Sequence, residues 1–209
     1  MVRHFDSRGT FSVIQHRPST TVKSATRVAA GDDRTSYDTV SIALHWATVI
    51  LVLMQFALSQ ICGFVPRPTR HLLIVTHMSF GMLLSAVIVV RILWRVSPRH
   101  QAPVSSAGWV ELAAKAIHYL LYALLVSEAV LGFLLRWSGN ESMSFFGLEI
   151  APPFAPFSKA VHHNIGEAPE FTGWTIILVA AAHAGAALFH HFVVRDTVLL
   201  RMLPRIRRR

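Results

Sequence analysis

Four apolar runs organise this chain, at positions 40–61, 72–93, 112–135 and 172–194. A helix needs about 20 predominantly apolar residues to cross the hydrocarbon layer of a bilayer, and each run meets that length. The pattern predicts four transmembrane helices and an all-α fold, an integral membrane four-helix bundle. Between the runs, proline and glycine punctuate the chain. Gly63-Phe64-Val65-Pro66-Arg67-Pro68 predicts a short turn, and Pro98 and Pro103 mark the second connection. The third connection, about 137–171, is the longest and carries Pro152, Pro153, Pro156 and Pro169. A long ordered loop between tightly joined helices is more often functional than idle. Residues 1–36 are polar, rich in Arg, Ser and Thr, and lack helical periodicity, so they read as a disordered tail. That leaves one domain, 37–209.

Composition agrees with the pattern. The 209 residues are 53% hydrophobic and 15% charged, against roughly a quarter charged in soluble domains. The net charge of +9 would suit nucleic acid, but its placement follows membrane topology instead. Of the 20 Lys and Arg residues, 16 lie in the N-terminal tail, in the second connection with its helix ends, and at the C-terminal end. Only Arg67, Arg70, Arg136 and Lys159 lie in the first and third connections. The positive-inside rule then puts both termini in the cytoplasm, and flanking basic residues also meet anionic headgroups. Trp46, Trp94, Trp109, Trp137 and Trp174 fall near expected helix ends, as an aromatic belt does. The single cysteine, Cys62, excludes an intrachain disulfide and a CxxCH attachment site, so any haem here is held non-covalently.

Histidine placement carries the chemistry. His45, His77 and His183 lie inside apolar runs, with His118, His190 and His191 toward the inner ends. An ionisable side chain in hydrocarbon is costly and marks a functional site by default. One such histidine is as well explained by a hydrogen bond that joins two helices; three, on three of four helices, point to a cofactor. With termini inside, His45 lies near the inner end and His77 nearer the outer end, so two centres would each need a partner. His183 and His190 are seven residues apart, about 10.5 Å of rise, too little to stack two porphyrins. His162 and His163, with His71, are the outer-side candidates. Two histidines per iron leave no open position, so such a haem carries electrons. Zinc or copper is the rival, but the spacing matches neither HExxH nor a Cys/His cluster.

Several segments carry a resemblance. They are Ile42-Ala43-Leu44-His45-Trp46, Thr76-His77-Met78-Ser79-Phe80-Gly81, Val90-Arg91-Ile92-Leu93-Trp94-Arg95, and His183-Ala184-Gly185-Ala186-Ala187-Leu188-Phe189-His190-His191-Phe192 with its continuation Arg195–Pro204. Over about 36–205 the chain resembles the bacterial di-haem cytochrome b561 family, including its superoxide oxidase type. The resemblance implies a multi-pass protein of the bacterial inner membrane with two b haems held through iron. By position, His45 and His183 would hold the inner haem. His77 would hold the outer haem with a histidine at the start of the fourth helix. It also implies electron transfer from an outer donor such as superoxide to ubiquinone near the inner side. His190, His118 and Arg91 lie there as quinone-site residues; packing is the alternative for His118 and haem propionate neutralisation the alternative for Arg91.

The chain departs from the family pattern in three places. The family usually has the outer ligand near residue 169. Here the candidates are His163, with His162 as fallback, 20 and 21 residues before His183. Twenty helical residues span about 30 Å, the whole hydrocarbon thickness, so a loop or kink is expected around 166–171, with Pro169 breaking the helix. Glu128 lies deep in the third run, where it would be neutral or paired. On the outer side, Glu141, Glu149, Glu167 and Glu170 offset the four basic residues, which weakens steering of an anion. A cytochrome subunit that docks to a dehydrogenase or hydrogenase is the second expectation, kept open by the third connection. A cofactor-free channel or transporter is a third, against which the histidine depths argue. The partners expected are lipid, quinone and the donor, with homo-oligomerisation left open.

Overall fold

The computed structural model describes residues 38–98, 108–196 and 199–203. The expected tail, 1–36, lies outside the described residues, as do Pro103 and Arg205. Four long helices follow in order: α1 Thr39–Cys62, α2 Arg67–Val96, α3 Trp109–Ser138 and α4 Lys159–Phe189. All four are long and apolar enough to cross a membrane, the last span running on to Val194. Two short strands, β1 Met143–Phe145 and β2 Leu148–Ile150, stand between α3 and α4.

Local chemistry sets the helix ends. Asp38 caps α1 by accepting from the Ser41 backbone N–H at 3.1 Å and the Ser41 hydroxyl at 2.6 Å, satisfying donors the first turn leaves free. The same carboxylate accepts from the Trp94 indole N–H at 2.9 Å, so one side chain both starts α1 and ties it to the end of α2. Burial works to raise the Asp38 carboxyl, but the Ser41 and Trp94 donors bring it below its usual value. Proline in the first turn of α2 loses nothing, because that N–H has no helical partner. Ser158 caps α4 through the Val161 N–H.

Two features differ from the sequence expectation. The fourth helix begins at Lys159, 13 residues before position 172, and runs unbroken through Pro169. Proline removes one intrahelical hydrogen bond without ending the helix here. The hydroxyls of Thr172 and Thr175 also bond back to the carbonyls of Ala168 and Phe171, at 2.9 and 2.8 Å, just after the proline. The third connection is not irregular throughout: β1 and β2 form an antiparallel hairpin in the register Phe145↔Leu148. Its turn residues Phe146 and Gly147 both have positive φ, 48° and 94°, the geometry that matches the twist of a two-residue hairpin.

The helices pack most closely as two antiparallel pairs, α1 with α2 and α3 with α4. A small cluster joins the pairs at mid-height, where Ile88, Leu125 and Ile176 are buried among Val52, Leu84, Ile92 and Leu124. Elsewhere large apolar side chains such as Ile50, Leu53, Leu120 and Leu178 stay exposed, as on helices whose solvent is lipid. The β-hairpin folds against α2: Ser79 accepts from the Phe146 backbone N–H at 2.9 Å, lies 3.3 Å from the Ser144 carbonyl, and is fully buried. The Phe80 and Phe146 rings meet edge to face beside it. We call this the hairpin end and the opposite end, where Trp46 donates to the Met202 carbonyl, the terminal end.

Candidate functional site

At the terminal end, four helices deliver one side chain each to a common site. His45 comes from α1, Arg91 from α2, His118 from α3 and His183 from α4. The Arg91 guanidinium donates to His45 Nδ1 at 3.2 Å and lies over the Tyr122 ring, 5.2 Å from its centroid. The His118 and His183 rings meet edge to face at 4.9 Å between centroids. His118 donates through Nδ1 to the Ala114 carbonyl at 2.7 Å, which fixes its ring along its own helix. His45 lies within electrostatic range of both His183 and His118. Apolar residues around these positions make the helices; the imidazoles converge because the helices are antiparallel and in register at this height. A small cavity beside them is lined by Ser41, Leu44, Arg91, Trp94, Tyr122 and Met202.

The donor set suits a b haem. His45 and His183 present neutral-capable nitrogen ligands from facing helices. Arg91 is a rigid cation suited to a carboxylate.

Past α4 the backbone changes form. His190–Val194 make a π-helical turn that ends on Arg195, a non-glycine residue at φ 60°. Single π turns recur at functional sites. Here the Asp196 N–H donates to the His190 carbonyl at 3.1 Å, and the Asp196 carboxylate accepts from His190 Nδ1 at 2.6 Å. His191 is half-buried, and its Nδ1 has no hydrogen-bond partner. Asp196 escaped the sequence reading because its relation to His190 depends on the left-handed Arg195, which no periodicity reveals. Tyr122 escaped too, as one aromatic residue among many.

The hairpin end is arranged differently. His77 sits by the backbone carbonyl of Gln55 on α1, and its Nδ1 is buried without a hydrogen-bond partner, as is Gln55 Oε1. The Gln55 amide fills the space over Gly81, 2.8 Å from where a Cβ would stand. His162 turns to the end of α3, its Nδ1 2.8 Å from Ser138 Oγ and its ring against Gly139. His163 is 76% exposed with Glu167 as its neighbour at 3.7 Å. His71 is exposed as well. The structure therefore brings His45, Arg91, His118 and His183 together, and does not bring His77 together with His163 or His162. Glu128 is half-buried with Oε2 unpartnered, and Arg136 pairs with Glu141 and donates to the Ser142 carbonyl at 3.2 Å.

Residues 36–205 match the family described as prokaryotic cytochrome b561. The chain is 34% identical to cytochrome b561 homolog 1 of Escherichia coli K12 over 176 residues, 81% of this chain and 97% of the relative. It is 31% identical to cytochrome b561 homolog 2 of the same organism, over 80% of this chain and 90% of that one. A protein of Yersinia pestis named probable superoxide oxidase CybB is 28% identical, over 82% and 97%. Since the match takes in all four helices and the histidines they carry, the chain belongs to the prokaryotic cytochrome b561 family: it is a multi-pass bacterial membrane cytochrome of the b type.

Proposed function

We propose that this protein passes electrons from a donor on the hairpin side of the bacterial inner membrane to ubiquinone at the terminal side, with both termini cytoplasmic. The observation that carries this reading is the convergence of His45 and His183 with Arg91 and His118 at one end of the bundle. His45 and His183 would hold one b haem and His77 a second, while Arg91 would meet a propionate. Bound there, haem supplies one-electron transfer without an open coordination position wherever two imidazoles face it.

Reduction of a quinone to the quinol takes two electrons and two protons, so the terminal end must deliver protons as well. His190 is suited to that work. The Asp196 carboxylate accepts a hydrogen bond from Nδ1–H and holds the ring in place, so that Nε2, when it carries a proton, would donate to a quinone carbonyl and pass that proton on. His118, fixed by the Ala114 carbonyl, and Arg91 supply further donors from neighbouring helices. On the hairpin side the proposed donor is superoxide, each molecule giving up one electron to become dioxygen. Support comes from the name carried by the Yersinia pestis relative at 28% identity.

A second reading makes the donor a docked dehydrogenase or hydrogenase. The exposed Phe146 and Leu148 on the β-hairpin favour it. Stopped-flow haem spectra of the purified protein decide between them. Rapid haem reduction by superoxide, followed by reoxidation on adding a ubiquinone analogue, is expected. Reduction no faster than in a superoxide dismutase control would overturn the superoxide assignment and leave the docked donor.

A further inference from the structure

The two ends of the bundle differ in how many imidazoles they can offer one iron. We infer that, among the described residues, His77 is the single histidine available to an iron in the hairpin half, so that only the His45–His183 iron is bis-histidine. This rests on the haem reading above and sharpens it: a haem held at His77 would keep one coordination position open to water or a small diatomic ligand.

Four observations carry the inference. α4 is one continuous helix from Lys159 to Phe189, so the rise from His163 to His183 is fixed at 20 residues. Arg91 meets His45 at the level of His183, and His77 precedes Arg91 by only 14 residues on α2. The two helices run in the same direction, so His163 overshoots the level of His77 by six residues, about 9 Å at 1.5 Å per residue. Opposed imidazoles on one iron cannot be staggered by that much along parallel axes. Second, His163 points away from the bundle beside Glu167. Third, His162, which does point inward, already has its Nδ1 on Ser138 and its ring against Gly139 at the end of α3. Fourth, His77 itself faces α1, by the Gln55 carbonyl. Across from it on α4, the turns that follow Pro169 carry Thr172, Trp174 and Thr175, none of them an iron ligand of the b-cytochrome type. Among the described residues, no histidine shares the level of His77 from another helix.

The test is the haem content and spin state of the full-length protein purified from membranes. Pyridine haemochrome assay counts haems per chain, low-temperature paramagnetic resonance of the oxidised protein counts bis-imidazole centres, and carbon monoxide difference spectra of the reduced protein count open irons. One bis-imidazole haem per chain is expected, lost in His45→Ala and His183→Ala. A second haem, where retained, is expected to bind carbon monoxide stoichiometrically and to vanish in His77→Ala. His162→Ala and His163→Ala should leave all three measurements unchanged. One haem per chain, insensitive to His77→Ala, supports the same inference, since a lone imidazole then fails to retain the group. Two bis-imidazole haems per chain would overturn it, most directly if His162→Ala or His163→Ala turned one of them into a carbon monoxide binder. A protein that carries no haem at all, or keeps it in the His45→Ala, His183→Ala double variant, would instead defeat the haem reading on which the inference stands.

Discussion

The terminal and hairpin ends of this bundle are built from the same ingredients, histidines on apolar helices, yet their histidines have different surroundings. At the terminal end, His45, His118 and His183 come from three helices and lie within reach of one another and of Arg91. At the hairpin end, His77, His162 and His163 each have a separate neighbour: the Gln55 carbonyl, the Ser138 hydroxyl and Glu167. The difference lies in register. Histidine identity sets what a residue can ligate, but a shared level along antiparallel helices decides whether two of them meet on one atom. An unbroken α4 puts His183 in register with His45 and carries His163 past His77. The hairpin end uses its polar groups for structure instead, with Ser79 holding the β-hairpin against α2.

The comparison can be broken most directly at the terminal end. His183→Ala is expected to remove the bis-histidine haem entirely, halving total haem if a second is bound, as read by pyridine haemochrome. Full retention of low-spin haem would mean that His190 or His118 ligates instead, and the register argument would fail.

Next in size is the effect of His190→Ala. Loss of a positioned proton donor lowers rate by roughly 100-fold or more where proton transfer is limiting. Reoxidation by a ubiquinone analogue should slow accordingly while donor-side reduction stays intact. If donor-side reduction were the half-reaction lost, the proposed direction of electron flow would be reversed. Asp196→Asn should slow the same half-reaction less, because the amide can still hold the ring but carries no negative charge to offset the proton the ring must take up and pass on.

A smaller effect is expected at the hairpin end. Ser79→Ala strips the Phe146 N–H of its buried acceptor, and an unpartnered buried donor costs about 1–3 kcal/mol. The thermal unfolding temperature in detergent should fall, with the terminal-end haem spectrum unchanged before unfolding. A shift in that spectrum would show that the two ends are coupled.

The smallest is a pH effect. Asp38 has its carboxyl held below the usual value by Ser41 and Trp94. A depressed carboxylate stabilises the fold above its unfolded pKa of 3.8, and that contribution is lost as pH falls through the folded value. Wild-type protein should therefore lose a little more stability than Asp38→Asn between neutral pH and pH 3. Parallel pH profiles would place the α1–α2 tie elsewhere.

Much of this protein could be read from its sequence. The four spans follow from run length, because crossing the hydrocarbon takes about 20 apolar residues, and the run boundaries fall inside the observed helices α1, α2 and α3. The terminal-end histidines were legible for the same reason: an imidazole in hydrocarbon must have work to do. Asp196 and Tyr122 were not legible, since nothing in a linear pattern marks a left-handed turn or the ring beneath a guanidinium. The β-hairpin hid in a proline-rich connection, with Phe146 in a conformation that glycine or asparagine would have signalled.

Helix count, apolar faces and the chemical type of the cofactor were thus determined by the sequence alone, because they depend on local length and residue chemistry. Tertiary structure decided which histidines share a level in the bundle. Pro169 in the sequence reads as a break, and with a break His163 could have folded back to His77. In the folded chain the helix runs on through Pro169, losing one intrahelical bond and keeping the turns on either side. α4 therefore stays whole, and the register it imposes separates the two hairpin-end histidines.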